Sequence, residues 1–265
     1  MSRPDGARAT GAGGDAPDRP ELPGFLRPLA ERARAGDHTL ALPRSPGPAR
    51  EITRRSAVLL LVSGASLEEA ELVVEERGHR MRSQPGQFAL PGGGVEPEDA
   101  DVRATALREA REEIGLDAGQ VHVLGEFAPI RMPWRGQVVH PVAAWAPRRP
   151  DLAVGDPVEV ERVVRLPLVG PDSLTDPSCR FMGSFDGRAV GPVFSLSQDR
   201  FVWGFTAMLV EGALEIMGLA PDDAAREARA AAGRAADASD ERSAVPAAPP
   251  RIEIPPERRR EGPRA

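Results

Sequence analysis

Apolar residues in the middle of the chain occur in short runs that are typical of buried strands. Each run has six to eight residues and is bounded by Gly, Pro or charged residues, which predicts strands rather than helices. These runs cover residues 57–62, 71–76, 121–127, 138–145 and 160–166. A longer apolar segment at about residues 201–217 predicts a final helix.

One segment between the second and third strands has helical periodicity instead. Val102, Ala106, Ala110 and Ile114 recur at fourfold spacing, which is the stripe of a helix packed on a sheet, and Gly115 is a suitable C-terminal stop. Strands on both sides of a helix, with a second helix late in the chain, predict an α/β fold in which a mixed sheet lies between helices.

The two ends of the chain differ from this central region. Residues 1–50 are predicted to be a flexible N-terminal segment with a short helix at residues 25–35, and residues 51–219 are predicted to be the folded domain. Residues 220–265 are rich in Ala, Arg and Pro, which predicts a largely disordered tail.

Composition narrows the class of protein. A hydrophobic content of 41% in 265 residues is enough for one sizeable core, and a net charge of −6 argues against nucleic-acid binding. The longest apolar run, residues 57–62, is too short to span a membrane. Cys179 is the one cysteine, so a disulfide framework and a cysteine-based zinc site are excluded, which favours a cytoplasmic protein. The sequence does not determine the oligomeric state, and a homodimer is one possibility.

The polar face of the predicted helix carries candidate metal chemistry. Glu109, Glu112 and Glu113 are three and four residues apart, so they are expected to project toward one point, where they would repel one another unless a hard cation such as Mg2+ or Mn2+ lay among them. A solvated helix face laced with ion pairs is the alternative. The glycine turn at residues 91–94 favours the metal site, because bare backbone can approach a ligand closely there. Arg108 is expected to pair with Asp99 or Glu96 and hold helix and loop together.

This arrangement resembles the Nudix box, whose pattern is Gly, five residues, Glu, seven residues, Arg-Glu, an apolar residue, any residue, Glu-Glu, any residue, Gly. Residues 108–115 match its second half in full. In the first half the acid is Asp99, which has five residues between it and Gly93 but eight between it and Arg108. The shifted position of this aspartate resembles the pattern of the coenzyme A diphosphatase branch of the family.

The preceding segment resembles the same branch, whose signature is LLTxR, four residues, R, three residues, GQVxFPGG. Arg77, Arg82 and the run at residues 86–93 align with it without a gap. Glu75 stands where threonine is usual in the signature. Later segments also look like this branch, so the resemblance spans residues 56–218.

The resemblance implies an α/β/α sandwich and a metal-dependent hydrolase of nucleoside diphosphate derivatives. It implies a coenzyme A-like substrate that is cleaved to 3',5'-ADP and a 4'-phosphopantetheine product. The alternatives are another substrate, namely ADP-ribose, an NAD-type dinucleotide or a nucleoside triphosphate, or a non-catalytic nucleotide-sensing module.

The residues carried over by the resemblance fall into three groups. The expected metal ligands are Glu109, Glu112 and Glu113, with Mg2+ or Mn2+ as the ion. The expected substrate-binding residues are Arg77, Arg82, Gly92 and Gly93, with the arginines facing a phosphate such as the 3'-phosphate of coenzyme A. The expected catalytic residues are Arg108, Glu109, Glu112 and Glu159, where the general base is either a box glutamate or an acid such as Glu159 or Glu161.

Overall fold

The most apolar stretch of the chain forms the central strand. A computed structural model describes residues 20–41, 48–81, 83–220 and 249–259, and in it Arg54–Ser63 forms β1. Leu59 and Leu61 face one side of the sheet while Leu60 and Val62 face the other, and all four are buried. A strand buried on both faces reads as a continuous apolar run, which is why the sequence indicated it so clearly.

Seven further strands join β1 in one mixed sheet. They are β2 (Glu71–Arg77), β3 (Phe88–Ala89), β4 (Gly92–Gly94), β5 (His122–Glu126), β6 (Ile130–Met132), β7 (Gln137–Ala146) and β8 (Val160–Pro167). The order is β3-β2-β1-β7-β5, with β4 also paired to β1, β6 to β7 and β8 to β2. The β1 and β7 strands are parallel, and the other pairs are antiparallel.

Helices cover both faces of this sheet. The helix α1 (Arg27–Ala35) and the late helix α3 (Gly204–Ile216) pack on one face, and α2 (Val102–Ile114) packs on the other. Asp101 caps the start of α2 by accepting hydrogen bonds from two backbone N–H groups, and Gly115 ends it with a left-handed φ of 67°. The expected α/β/α sandwich with a mixed sheet between helices is confirmed.

A second sheet follows β8, and the sequence patterns did not predict it. It consists of β9 (Arg180–Phe185), β10 (Arg188–Leu196), β11 (Arg200–Val202) and β12 (Arg251–Glu253), in the order β11-β10-β9-β12. The expected helix at residues 201–217 therefore starts at Gly204, because residues 200–202 pair with β10 instead. Its end at Ile216 agrees with the prediction.

Part of the predicted disordered tail belongs to this second sheet. The strand β12 runs parallel to β9, and Ile254 directly after it is fully buried. Arg258 lies over the Phe201 ring at 5.0 Å. The expectation of disorder is thus corrected for residues 249–259, because a long-range strand pairing and a buried isoleucine hold them. The expectations for residues 1–19, 42–47, 221–248 and 260–265 lie outside the described residues. None of the helices described is long and apolar enough to cross a lipid bilayer.

Replacing Ile254 with alanine tests how firmly this segment is held. Its side chain packs with Val193 and Phe201 in a small apolar cluster, so the change is expected to lower the free energy of unfolding by about 2–4 kcal/mol. Urea unfolding followed by circular dichroism measures the effect. Ile252→Ala, at a half-buried position of the adjoining strand β12, should lower the free energy of unfolding by less. Equal unfolding midpoints for Ile254→Ala and the parent would show that the segment does not stabilise the domain.

Candidate active site

The glycine turn lies between the central strand β1 and the carboxylates of α2. The backbone of Gly92 pairs with Val58 of β1, and its N–H donates a hydrogen bond of 2.8 Å to Oε2 of Glu113. A Cβ atom on Gly93 would lie 2.4 Å from Oε1 of Glu109. Two carboxylates of the helix thus contact bare backbone of the turn, in a place where larger residues would not fit.

Arg108 ties the loop to the helix through several hydrogen bonds. Its Nε and Nη2 donate to the two oxygens of Asp99 at 3.0 and 3.1 Å, and Nη2 also donates to the carbonyl of Gly94 at 2.8 Å. Its Nη1 lies 3.1 Å from both Glu109 and Glu112, and 3.8 Å from Glu96. Asp99, one of the two partners that the sequence left open, is therefore the main partner, and Arg108 connects the loop to the glutamates of the helix.

Asp99 organises the loop that precedes α2. Its Oδ2 accepts hydrogen bonds of 2.9 Å from the backbone N–H of Glu96 and from the hydroxyl of Thr105. The Arg108 guanidinium, followed by the Glu96 N–H, holds the pKa of Asp99 well below its usual range. The aspartate that lies one position away from the box pattern is thus a charged anchor for Arg108.

Glu113 is paired with an acid from β2 that sequence reasoning did not assign to the site. Glu113 is 3% exposed and Glu75 is 1% exposed, and their carboxyl groups are within hydrogen-bonding reach of each other. Burial, and then the charge of Glu75, raises the pKa of Glu113. Burial likewise raises the pKa of Glu75, although Arg77 opposes that shift. Val73, Glu75 and Arg77 share the face of β2 that α2 covers, but the alternation of the strand alone does not show which face that is.

The three box glutamates do not occupy equivalent positions. Positions 109 and 113 differ by about 40° around a helix, whereas positions 112 and 113 differ by about 100°. Glu109 is accordingly turned toward the turn, and burial raises its pKa. Glu112 is half exposed and contacts Arg108 and Arg111. Glu109 and Glu112 meet at Nη1 of Arg108, whereas Glu113 meets Glu75, so the role expected for Glu112 as a metal ligand stays a prediction.

The donor set of this site suits a hard divalent cation. Among the residues that the structure describes, no three Asp, Glu, His or Cys side chains lie in metal-binding geometry. However, Glu75, Glu109 and Glu113 place negative charge together in a poorly solvated site, where the charges of Glu75 and Glu109 raise the pKa of Glu113 and the charge of Glu109 raises that of Glu75. A cation with a preference for oxygen ligands would neutralise that charge.

The remaining residues expected at the site are distributed around this cluster. Arg77 is largely buried, and its Nη1 lies 3.8 Å from Glu75. Glu159 is exposed at the start of β8, and its charge contributes to the raised pKa values of Glu75 and Glu109. Glu161 is exposed on β8. Arg82 lies outside the described residues, so its expected role stays a prediction.

Comparison with known proteins gives consistent results. A family model described as the NUDIX domain matches residues 53–179. The chain is 33% identical over 173 residues to the uncharacterized Nudix hydrolase NudL of Photorhabdus laumondii, a match that covers 64% of this chain and 89% of that protein. It is 34% identical over 161 residues to NudL of Yersinia pestis, covering 59% and 76% of the two chains.

Solved structures include a similar Nudix hydrolase, RenU of M. smegmatis. That similarity has 21% sequence identity and a TM-score of 0.36, and it covers 46% of this chain and 79% of that chain.

Proposed function

The chain belongs to the Nudix hydrolase family, and on that basis we propose that it hydrolyses the diphosphate bond of coenzyme A or its derivatives with a divalent cation. Water adds to one phosphorus atom, the P–O bond of the anhydride breaks, and the products are 3',5'-ADP and a 4'-phosphopantetheine compound. The enzyme class follows from the family. The substrate and the residue roles are the proposed part.

One observation carries the proposal: the carboxylates of Glu109 and Glu113 on α2 face bare glycine backbone of β4. Glu113 is fixed by the N–H of Gly92, and Glu109 fills the space beside Gly93. In this proposal Glu109 and Glu113 hold the cation together with Glu112, which would rotate inward from its contact with Arg111. The cation, Mg2+ or Mn2+, neutralises phosphate charge and lowers the pKa of the attacking water when bound.

The chain's own residues position the reactants and accept the proton. Arg108 keeps the glutamates in place through Asp99 and the Gly94 carbonyl. Glu159 is exposed and lies within electrostatic reach of Glu109. It can therefore accept a proton from the attacking water without a change in the fold. A glutamate of the helix is the alternative base.

The coenzyme A assignment rests on the segment before the glycine turn. Arg77 and Arg82 have the spacing of the coenzyme A diphosphatase signature, and a guanidinium can bind a phosphate through two hydrogen bonds. Arg77 lies on the face of β2 that also carries Glu75, which places its positive charge beside the carboxylate cluster. It is therefore suited to a phosphate oxygen of the same diphosphate, and Arg82 to a more distant phosphate.

A substrate panel tests the proposal. Purified protein is incubated with coenzyme A, acetyl-coenzyme A, ADP-ribose, NAD and a nucleoside triphosphate, with Mg2+ or Mn2+, and the products are identified by mass spectrometry. We expect 3',5'-ADP from the coenzyme A compounds and no product when a chelator replaces the metal. Cleavage of ADP-ribose with coenzyme A left intact would contradict the coenzyme A assignment and make ADP-ribose the substrate. Nucleotide binding without turnover would favour a sensing module.

A further inference from the structure

Glu75 is a buried acid whose second oxygen has no hydrogen-bond donor in the described part of the chain. The residue is 1% exposed, and Oε2 is buried without a partner. The nearest cation is the guanidinium of Arg77, whose Nη1 is 3.8 Å from Oε1. That separation is too long for a charge-assisted hydrogen bond, which is normally about 2.7–2.9 Å. Arg77 therefore satisfies Glu75 only in part.

The other charged groups around Glu75 are acids. Glu113 is within hydrogen-bonding reach, and Glu109 and Glu159 also act on it electrostatically. A buried carboxylate among three others is strongly unfavourable unless a positive charge compensates it. Arg108, which lies beside the helix carboxylates, is engaged by Asp99, Glu109 and Glu112. The charge of ionised Glu75 is therefore only partly compensated by the described residues, and a cation next to Glu75 would neutralise it.

We propose that Glu75 is a direct ligand, contributed by β2, of a divalent cation that it holds jointly with Glu113 of α2. The proposal deepens the proposed function and rests on it. Glu113 keeps one oxygen free after accepting the N–H of Gly92, and Glu75 keeps Oε2 free. Two carboxylate oxygens, one from β2 and one from α2, form an oxygen-rich site for Mg2+ or Mn2+.

This arrangement makes the cation a bridge between sheet and helix. Glu75 and Glu113 belong to elements separated along the chain by the whole glycine turn, and each carboxylate repels the other in the cation-free protein. A cation between them replaces that repulsion with two attractions. Bound cation is therefore expected to stabilise the folded protein in addition to binding the substrate. Part of that stabilisation should depend on Glu75.

Cation binding to the full chain, measured without substrate, tests the role of Glu75. Free Mn2+ is titrated by electron paramagnetic resonance, and the Tm is recorded in chelator and in Mn2+ for the parent, Glu75→Gln, Glu75→Asp, Glu113→Gln and Glu71→Gln. Glu71 lies on the same face of β2 but at its far end, where it pairs with Arg149, so its variant controls for the loss of one negative charge. Activity is not needed for this measurement.

We expect Glu75→Gln to weaken Mn2+ binding by roughly tenfold to a hundredfold and to reduce the Mn2+-induced rise in Tm, while its Tm in chelator equals or exceeds that of the parent. Glu75→Asp keeps the charge but withdraws the carboxylate by one methylene, so a direct ligand predicts weaker binding here also. It also carries the test if Glu75→Gln does not fold. Glu71→Gln should bind as the parent does.

The outcomes separate this proposal from the function on which it rests. Weak binding in Glu113→Gln with parental binding in both Glu75 variants would leave the metal-dependent site intact and overturn the role of Glu75. Parental binding in Glu75→Asp, with loss only in Glu75→Gln, would overturn direct ligation in favour of a distant charge effect. A parent protein that binds no Mn2+ would overturn both.

Discussion

Glu113→Gln is expected to lower kcat for the diphosphate substrate by about a thousandfold while the fold remains intact. A bound cation contributes several kcal/mol to stabilising a phosphoryl transition state, and each 1.4 kcal/mol corresponds to about a factor of ten. Glutamine has the shape of glutamate and retains an oxygen that can accept the Gly92 N–H. The change therefore removes the charge that would hold the cation and keeps the hydrogen bond that holds the turn.

Stability and activity should move independently in this variant. Glu113 is buried beside Glu75, and the raised pKa of Glu113 means that its charged form is unfavourable in the folded protein. A neutral side chain at this position is expected to leave the Tm in chelator unchanged or to raise it. The measurement is steady-state kinetics at saturating Mg2+, together with the Tm of each protein.

Glu98→Gln is the matched control for Glu113→Gln. Glu98 lies in the loop between the glycine turn and α2 and is exposed, so its replacement removes one negative charge near the site without touching the carboxylate cluster. It should keep kcat within about twofold of the parent, as surface substitutions away from such features usually have small effects. A Glu113→Gln protein with more than a tenth of the parental kcat would show that Glu113 is not essential for holding the cation.

The elements of the main domain were predictable because their patterns are local. The α2 stripe of Val102, Ala106, Ala110 and Ile114 lies within one helix, and each residue of it is buried against β1 and its neighbours. The central strand is equally clear, since it is buried on both faces and reads as one apolar run. The resemblance to a known family implied the α/β/α sandwich, but neither it nor these patterns predicted the order of the strands.

The second sheet was missed because its strands are defined by partners that are distant in sequence. The strand β12 is three residues long and pairs with β9 some seventy positions earlier, and its sequence is indistinguishable from a charged, proline-flanked linker. The short β11 likewise lies at the start of an apolar run that was interpreted as helix. Local periodicity carries no information about such non-local pairing.

Glu75 illustrates the same limit at the site. In sequence it stands in an acidic pair with Glu76 and looks like surface charge. In the fold the two residues point to opposite faces: Glu76 lies against Arg162, and Glu75 meets Glu113 under α2. Which face of β2 the helix covers depends on tertiary packing, so the period-two alternation alone could not place Glu75 in the site.

Gly93→Ala is expected to lower kcat by about a hundredfold with little change in stability. Its Cβ would lie 2.4 to 2.6 Å from three atoms of the Glu109 carboxylate group, so the carboxylate must move. Because these atoms are the end of a flexible side chain, they can move without disturbing the backbone. A displacement of about 1 Å in a catalytic or metal-binding group is enough for a loss of this size.

The two neighbouring glycines provide controls with opposite expectations. A Cβ on Gly92 would lie 2.2 Å from the carbonyl oxygen of Ala57 and 2.7 Å from Cα of Val58. Both atoms belong to the backbone of the central strand, so Gly92→Ala is expected to destabilise the domain by about 3 kcal/mol or to prevent folding. A Cβ on Gly94 would meet no atom within 4 Å, so Gly94→Ala should leave both activity and stability close to those of the parent.

The series of three alanine variants therefore separates the two tasks of the turn. Urea unfolding should show a loss of stability only for Gly92→Ala, and kinetics of the folded variants should show a loss of kcat only for Gly93→Ala. If Gly93→Ala kept parental kcat, the position of the Glu109 carboxylate against the turn would not matter for the reaction, and Glu109 would lose its place among the proposed cation ligands. If Gly94→Ala were as inactive as Gly93→Ala, the cause would be backbone freedom in the turn, since the side chain of that variant has nothing to displace.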